Sequence, residues 1–151
     1  MTTNGDQPYL RIERRFDVPR ETVFDTLTDP DQMRIWWGDD AEFEIDLRVG
    51  GQWRIVRREG DVEYLAKGNY LKVERPTQLQ YTFGMPQFSP NSDTITIQIE
   101  EDNGGSFVTF EHSGDDIATE LRDLPPGDTS ATEAGWQQGF DLMVAAWSKS
   151  A

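Results

Sequence analysis

The strongest constraint in this chain is the run from Ser130 to Trp147, the one long segment whose apolar residues keep helical spacing throughout. Trp136, Phe140, Met143, Val144 and Trp147 fall on one face of a 3.6-residue period, with Glu133, Gln137, Gln138 and Asp141 on the other. Ser130 and Glu133, three residues apart, form a capping box whose hydroxyl and carboxylate satisfy backbone N–H groups that the helix leaves unpaired. At 1.5 Å per residue this helix is roughly 27 Å long and needs an apolar surface of matching length. The rest of the chain has to supply that surface.

Taken in order, Tyr9 to Phe16 alternates as a half-buried strand, with Arg14 the one break in its inward phase. Pro19 ends it and opens a short helix over about Arg20 to Thr28, with Val23, Phe24 and Leu27 on one face. Asp29 caps a second short helix with Pro30 at its first position, carrying Met33, Ile35 and Trp36 toward Trp37-Gly38. Phe43, Ile45 and Leu47 then alternate with Glu42, Glu44 and Asp46. Gly50-Gly51 supplies the positive backbone angles of a tight hairpin, and Trp53 and Ile55 resume on its return. A turn at Glu59-Gly60-Asp61 leads to a strand over Tyr64 to Val73, interrupted at Gly68 by a bulge or a close backbone approach. After Arg75-Pro76-Thr77, strands carry Leu79, Tyr81 and Phe83, then Ile95, Ile97 and Ile99. The turn Asp102-Asn-Gly-Gly105 returns the chain to Val108, Phe110 and His112. Ser113 to Pro126 is weakly patterned, a short helix or loop with Ile117, Leu121 and Leu124 facing inward.

The order of strand, two short helices, about seven antiparallel strands and one long helix suits a single arrangement. A curved antiparallel sheet lays its apolar concave face against the C-terminal helix and leaves its acidic faces in water. This α+β helix-grip reading places a disordered N-terminal tail at 1–8 and a single domain at 9–151.

The 151 residues carry a formal charge of −14 and no cysteine. Disulfides, thiolate metal sites and cysteine nucleophiles are excluded, and phosphate backbones and anionic lipid surfaces would be repelled, so neither nucleic acid nor membrane insertion is expected. No signal peptide or membrane-spanning run is present, which makes a cytoplasmic location the expectation. The acidity serves solubility or adaptation to high salt.

The chain resembles the activator of heat-shock protein 90 ATPase homologue-like branch of the START-like (SRPBCC) superfamily from Tyr9 to Ser148. The residues that carry the resemblance are Val18-Pro-Arg-Glu-Thr-Val-Phe24, Leu27-Thr-Asp-Pro30, Ile35-Trp-Trp-Gly38, Asp46-Leu-Arg-Val-Gly-Gly51, the Gly-Gly hairpin ending in His112, and Gly135-Trp136 with Phe140 and Met143. The resemblance implies a helix-grip fold whose sheet and long helix enclose a cavity for an apolar small molecule. It also implies a tie to stress response. Lipid carriers, cyclases and co-chaperone domains share the fold, so it leaves the reaction, if there is one, undefined.

Chemistry-bearing motifs are absent. With one histidine, His112, no zinc site of several imidazoles can form, and no metal or cofactor is expected. His112 shares the inward parity of Val108 and Phe110 and is either a core histidine held by a hydrogen bond or a ligand anchor and general base. Arg57, in phase with Trp53 and Ile55, either reaches the cavity mouth toward a ligand carboxylate or pairs with a neighbouring acid. These two are the catalytic candidates.

The aromatic residues outnumber what a small core needs. Trp36, Trp37, Phe43, Trp53, Tyr64, Tyr81, Phe83, Phe110, Trp136 and Phe140, with His112, are the candidate cavity lining, divided between packing and ligand contact. The loop from Gly84 to Asp93, with Met85, Pro86, Phe88 and Pro90, is either a lid or an ordinary connection. Three function classes follow. The first is a noncatalytic binder of a small hydrophobic, lipid-like or aromatic molecule, the second a chaperone-interacting module, and the third a cyclase- or hydrolase-like enzyme. A homodimer is compatible with the fold.

Overall fold

The computed structural model describes residues 7–150. Along them run β1 (Leu10–Phe16), α1 (Arg20–Thr28), α2 (Pro30–Trp37), β2 (Glu42–Ile45), β3 (Gln52–Glu59) and β4 (Val62–Glu74). There follow β5 (Gln78–Phe83), β6 (Asp93–Asp102), β7 (Gly105–Ser113), α3 (Asp115–Arg122) and α4 (Ala131–Ser150). The strands form one antiparallel sheet in the order β1-β7-β6-β5-β4-β3-β2. It is open, with β1 and β2 as edges, and with α4 it makes the α+β helix-grip arrangement. The tail expected over 1–8 lies outside the described residues up to position 6, and Gln7 donates from Nε2 to Asp115 Oδ1 at 3.0 Å.

Alternation builds the core. Ile12, Ile55, Leu79, Ile95, Ile97, Ile99, Val108 and Phe110 are buried on one face of the sheet, and Phe140 and Met143 of α4 join the same cluster. Burying each such side chain contributes roughly 1.5–3 kcal/mol, which is what keeps the amphipathic α4 in place. Arg14 is on that inward phase without breaking it. Its guanidinium donates to Gln137 Oε1 at 3.0 Å and Asp141 Oδ1 at 2.9 Å, and lies over the rings of Phe16 and Phe140. One flank of α4 is therefore tied to the edge strand β1. Among the described residues no strand follows beyond that edge, and Val144, expected to face inward, is 36% exposed.

The helix caps divide in the same way between local and distant partners. Asp29 accepts from Asp31 N at 3.1 Å and starts α2 as its sequence requires. Ser130 Oγ accepts from Glu133 N at 3.0 Å, the hydroxyl half of the expected box. The carboxylate at this helix start comes from α3 instead: Glu120 accepts from Thr132 N at 3.0 Å and from Thr132 Oγ1 at 2.7 Å.

Three turn expectations are resolved by geometry. Asn103 and Gly104 both have positive φ and join β6 to β7 as a two-residue hairpin. The Gly50-Gly51 connection is longer than expected. Only Gly50 has positive φ, β2 ends at Ile45, and Leu47 is exposed in a 46–51 loop rather than extending the strand. Gly68 is a close approach, since a Cβ there would sit 1.8 Å from Thr82 O; the bulge itself falls at Leu71, between Tyr70 and Lys72.

Candidate functional site

The weakly patterned segment after β7 folds into α3, and the reason lies in a buried carboxylate at the start of β6. Asp93 accepts from Asp116 N at 3.3 Å, from Ile117 N at 3.0 Å and from His112 Nε2 at 2.9 Å. It therefore supplies the anion that the free N–H groups of a helix start require. Gly114 precedes the helix with φ of 137°, and a Cβ at that position would lie 2.1 Å from Asp93 Oδ1. Only glycine tolerates both that backbone angle and that proximity.

His112 completes the chain of bonds. Trp136 Nε1 donates to His112 Nδ1 at 3.1 Å, so Nδ1 is the unprotonated nitrogen and Nε2 carries the hydrogen given to Asp93. Both ring nitrogens are committed to protein partners, and His112 and Asp93 are each about 5% exposed at the side chain. His112 has no lone pair free to take a proton from a substrate. Burial raises the phenols of Tyr70 and Tyr81 above their ordinary value, with the neighbouring Tyr70 raising Tyr81 further, so neither serves as a base near neutrality.

Above this network opens a cavity of about 540 Å³ between α2, α3, α4 and the 84–93 loop. Trp36, Trp37, Phe83, His112 and Trp136 border it, with Arg57 from β3. Trp36 packs against Trp37 and Trp136 at ring separations of 5.5 and 6.4 Å, and Phe83 against Trp136 at 5.6 Å. Trp36 Nε1 donates to Thr26 O at 2.8 Å and Trp136 Nε1 to His112, so both indoles turn their polar edges into the protein. Trp37 Nε1 is different. It is buried and meets no acceptor among the described residues.

The other candidate residues lie elsewhere. Phe110 and Phe140 are core, 1% and 3% exposed, with Phe110 beneath the Trp136 ring at 4.6 Å. Trp53 and Tyr81 pack edge to face within the sheet core, and Trp53 Nε1 donates to Thr82 O at 3.0 Å. Phe43 lies under the Arg34 guanidinium at 5.2 Å and away from the cavity. Tyr64 borders a smaller hollow of about 250 Å³ that shares Trp37, Arg57, Met85 and Phe88 with the first, and stacks near Phe88. Arg57 combines its two readings, bordering the cavity while donating to Glu59 Oε1 at 3.2 Å.

Two further carboxylates line the cavity beside Asp93. Asp116 and Glu120 are four residues apart on α3 and both border the cavity. That spacing was visible in the sequence, but which way the face turns was not. Burial pushes the Glu120 carboxyl up while the hydrogen bonds from Thr132 and Ser130 pull it down, and the bonds prevail. A wider hollow of about 930 Å³ is bordered by Glu44, Asp46, Arg48, Arg54 and Lys67. It is a mostly polar trough with Trp53 as its one ring, unlike the several rings that line the first cavity.

No curated protein shows a significant match to the sequence. Among solved structures, protein MLL2253 from Mesorhizobium loti is similar at TM-score 0.76 and 20% identity, covering 95% of this chain and 99% of its own. Protein CV1439 from Chromobacterium violaceum is similar at TM-score 0.73 and 20% identity, over 92% and 96%. Protein NE0264 from Nitrosomonas europaea is similar at 0.75 and 17%, over the whole of both chains. Likeness at these identities is a likeness of fold. The sequence itself matches the family described as activator of Hsp90 ATPase homolog 1-like protein over residues 17–147, taking in every element from α1 through most of α4. The chain belongs to that family.

Proposed function

We propose that this protein is a noncatalytic binder of one small molecule with an aromatic or apolar body, held in the cavity between α2, α4 and the 84–93 loop. The observation that carries this reading is the cavity's lining. A volume of about 540 Å³ is within the range of small-molecule sites, and Trp36, Trp37, Phe83 and Trp136 present ring surface to it. Trp37 Nε1, buried beside these rings and without an acceptor among the described residues, is a donor that one acceptor atom on the ligand would satisfy. Phe88 of the 84–93 loop borders the cavity and is 68% exposed, which suits a covering role over a bound molecule. The committed nitrogens of His112 favour binding over acid–base chemistry.

The test is native mass spectrometry of protein purified gently from its source, with identification of any molecule released on unfolding. A stoichiometric apolar or amphipathic compound supports the reading. No bound compound, together with no thermal stabilisation by a panel of aromatic and lipid-like molecules, would overturn it. A chaperone-contact role, suggested by the family's name, would then be the reading to pursue by co-purification with a chaperone ATPase.

A further inference from the structure

We propose that this cavity selects an organic cation, an amine or quaternary ammonium group joined to an aromatic or apolar body. The inference rests on the ligand-binding reading above and adds the charge of the ligand. Asp116 and Glu120 put two carboxylates on one wall, and their partners are neutral. Asp116 accepts from Asn91 Nδ2 at 3.0 Å, and Glu120 accepts from the Thr132 amide and hydroxyl. The N–H groups that would give the start of α3 a positive end are taken up by Asp93.

Arg57 is the only Arg or Lys among the described residues that border the cavity, and it carries Glu59 as its own counter-ion. It also comes from the opposite side. α3 packs on β6 and β7, and β3 lies three strands from β6, about 14 Å along the sheet at the usual strand spacing. The wall charge is therefore negative and locally uncompensated.

The rings act in the same direction. With their N–H groups turned to Thr26 and His112, Trp36 and Trp136 border the lumen with the carbon of their rings, and an aromatic π system attracts a cation. The net charge of −14 draws cations toward the surface and repels anions.

Isothermal titration at pH 7 with 2-naphthylmethylamine, 2-naphthylmethanol and 2-naphthoate compares cation, neutral and anion on one ring system. The amine is expected to bind about tenfold tighter than the alcohol, with the naphthoate weakest. Asp116→Asn and Glu120→Gln, each checked for folding by circular dichroism, should both narrow the amine-to-alcohol ratio. Asp61→Asn, in the distant β3–β4 turn, removes the same charge and should leave the ratio unchanged. Equal binding of amine and alcohol, tighter binding of naphthoate, or an equal effect of Asp61→Asn overturns the charge selection and leaves the container intact. Binding of none of the three overturns both.

Discussion

Trp136 Nε1 and His112 Nδ1 are 3.1 Å apart, and this one bond decides what the single histidine of the chain does. By donating to Nδ1, the indole sets the tautomer that gives the Nε2 hydrogen to Asp93, and Asp93 in turn starts α3. A residue of the long helix, one of β7 and one of β6 thereby hold the floor of the cavity together. Trp136→Phe keeps the ring but leaves a buried acceptor without its donor, and should lower unfolding free energy by about 1–3 kcal/mol in urea titrations. A loss below about 0.5 kcal/mol would mean that the bond is not formed in solution.

Gly114→Ala should be more damaging than its size suggests. The added methyl group meets Asp93 Oδ1 at 2.1 Å while the backbone stays at a φ of 137°, so the carboxylate that caps α3 must move. The expected cost is about 2–4 kcal/mol, accompanied by faster amide exchange at Asp116 and Ile117. Unchanged exchange at those amides would remove Asp93 from the cap.

Glu120 makes stability depend on acid. Its carboxyl is held below the ordinary value of 4.5, so it contributes stability that is fully present above that value and is lost as pH falls through its lower native value. Unfolding followed between pH 6 and pH 2.5 should show this loss, and Glu120→Gln should flatten that part of the profile. A profile identical in the two proteins would contradict the assignment.

Trp37→Phe separates binding from stability. Removing a buried N–H without an acceptor should leave stability within about 0.5 kcal/mol of the parent or raise it. The affinity for a ligand that uses that donor should fall about tenfold, the weight of one hydrogen bond. Unchanged affinity would place the ligand's polar atom elsewhere.

Salt should stabilise the fold. With 28 acidic and 14 basic residues the folded chain repels itself, and screening relieves that repulsion more than it weakens exposed pairs such as Arg48 with Asp46. Raising sodium chloride from 10 mM to 1 M should raise Tm by about 5 °C or more in calorimetry. A lower Tm would mean that the surface pairs outweigh the net repulsion.

Much of the architecture is local in origin and was legible for that reason. The bounds of α1, the Asp29–Pro30 start of α2, the Gly60-Asp61 and Asn103-Gly104 turns, and the alternation of β5, β6 and β7 all depend on residues within a few positions of one another. Where the sequence misled, the deciding partner was remote. α3 has a weak pattern of its own because its cap comes from Asp93, more than twenty residues earlier. Glu133 was read as the capping carboxylate of α4, yet Glu120 holds that place. Val144 keeps helical time with Phe140 but is 36% exposed.

The division is the same for the site. By itself the sequence determined a curved antiparallel sheet against one amphipathic helix, an acidic surface, and a chain without thiols and with one imidazole, because periodicity and composition are properties of the chain alone. Only the tertiary structure decided which rings became cavity wall and which became core. Trp36 and Trp136 carry the same side chain as Trp53, yet only Trp53 is sealed within the sheet core. It also decided that His112 is held at both nitrogens, since hydrogen-bond partners more than a few residues away are set by the packing of α4 and α3 on the sheet and not by spacing along the chain.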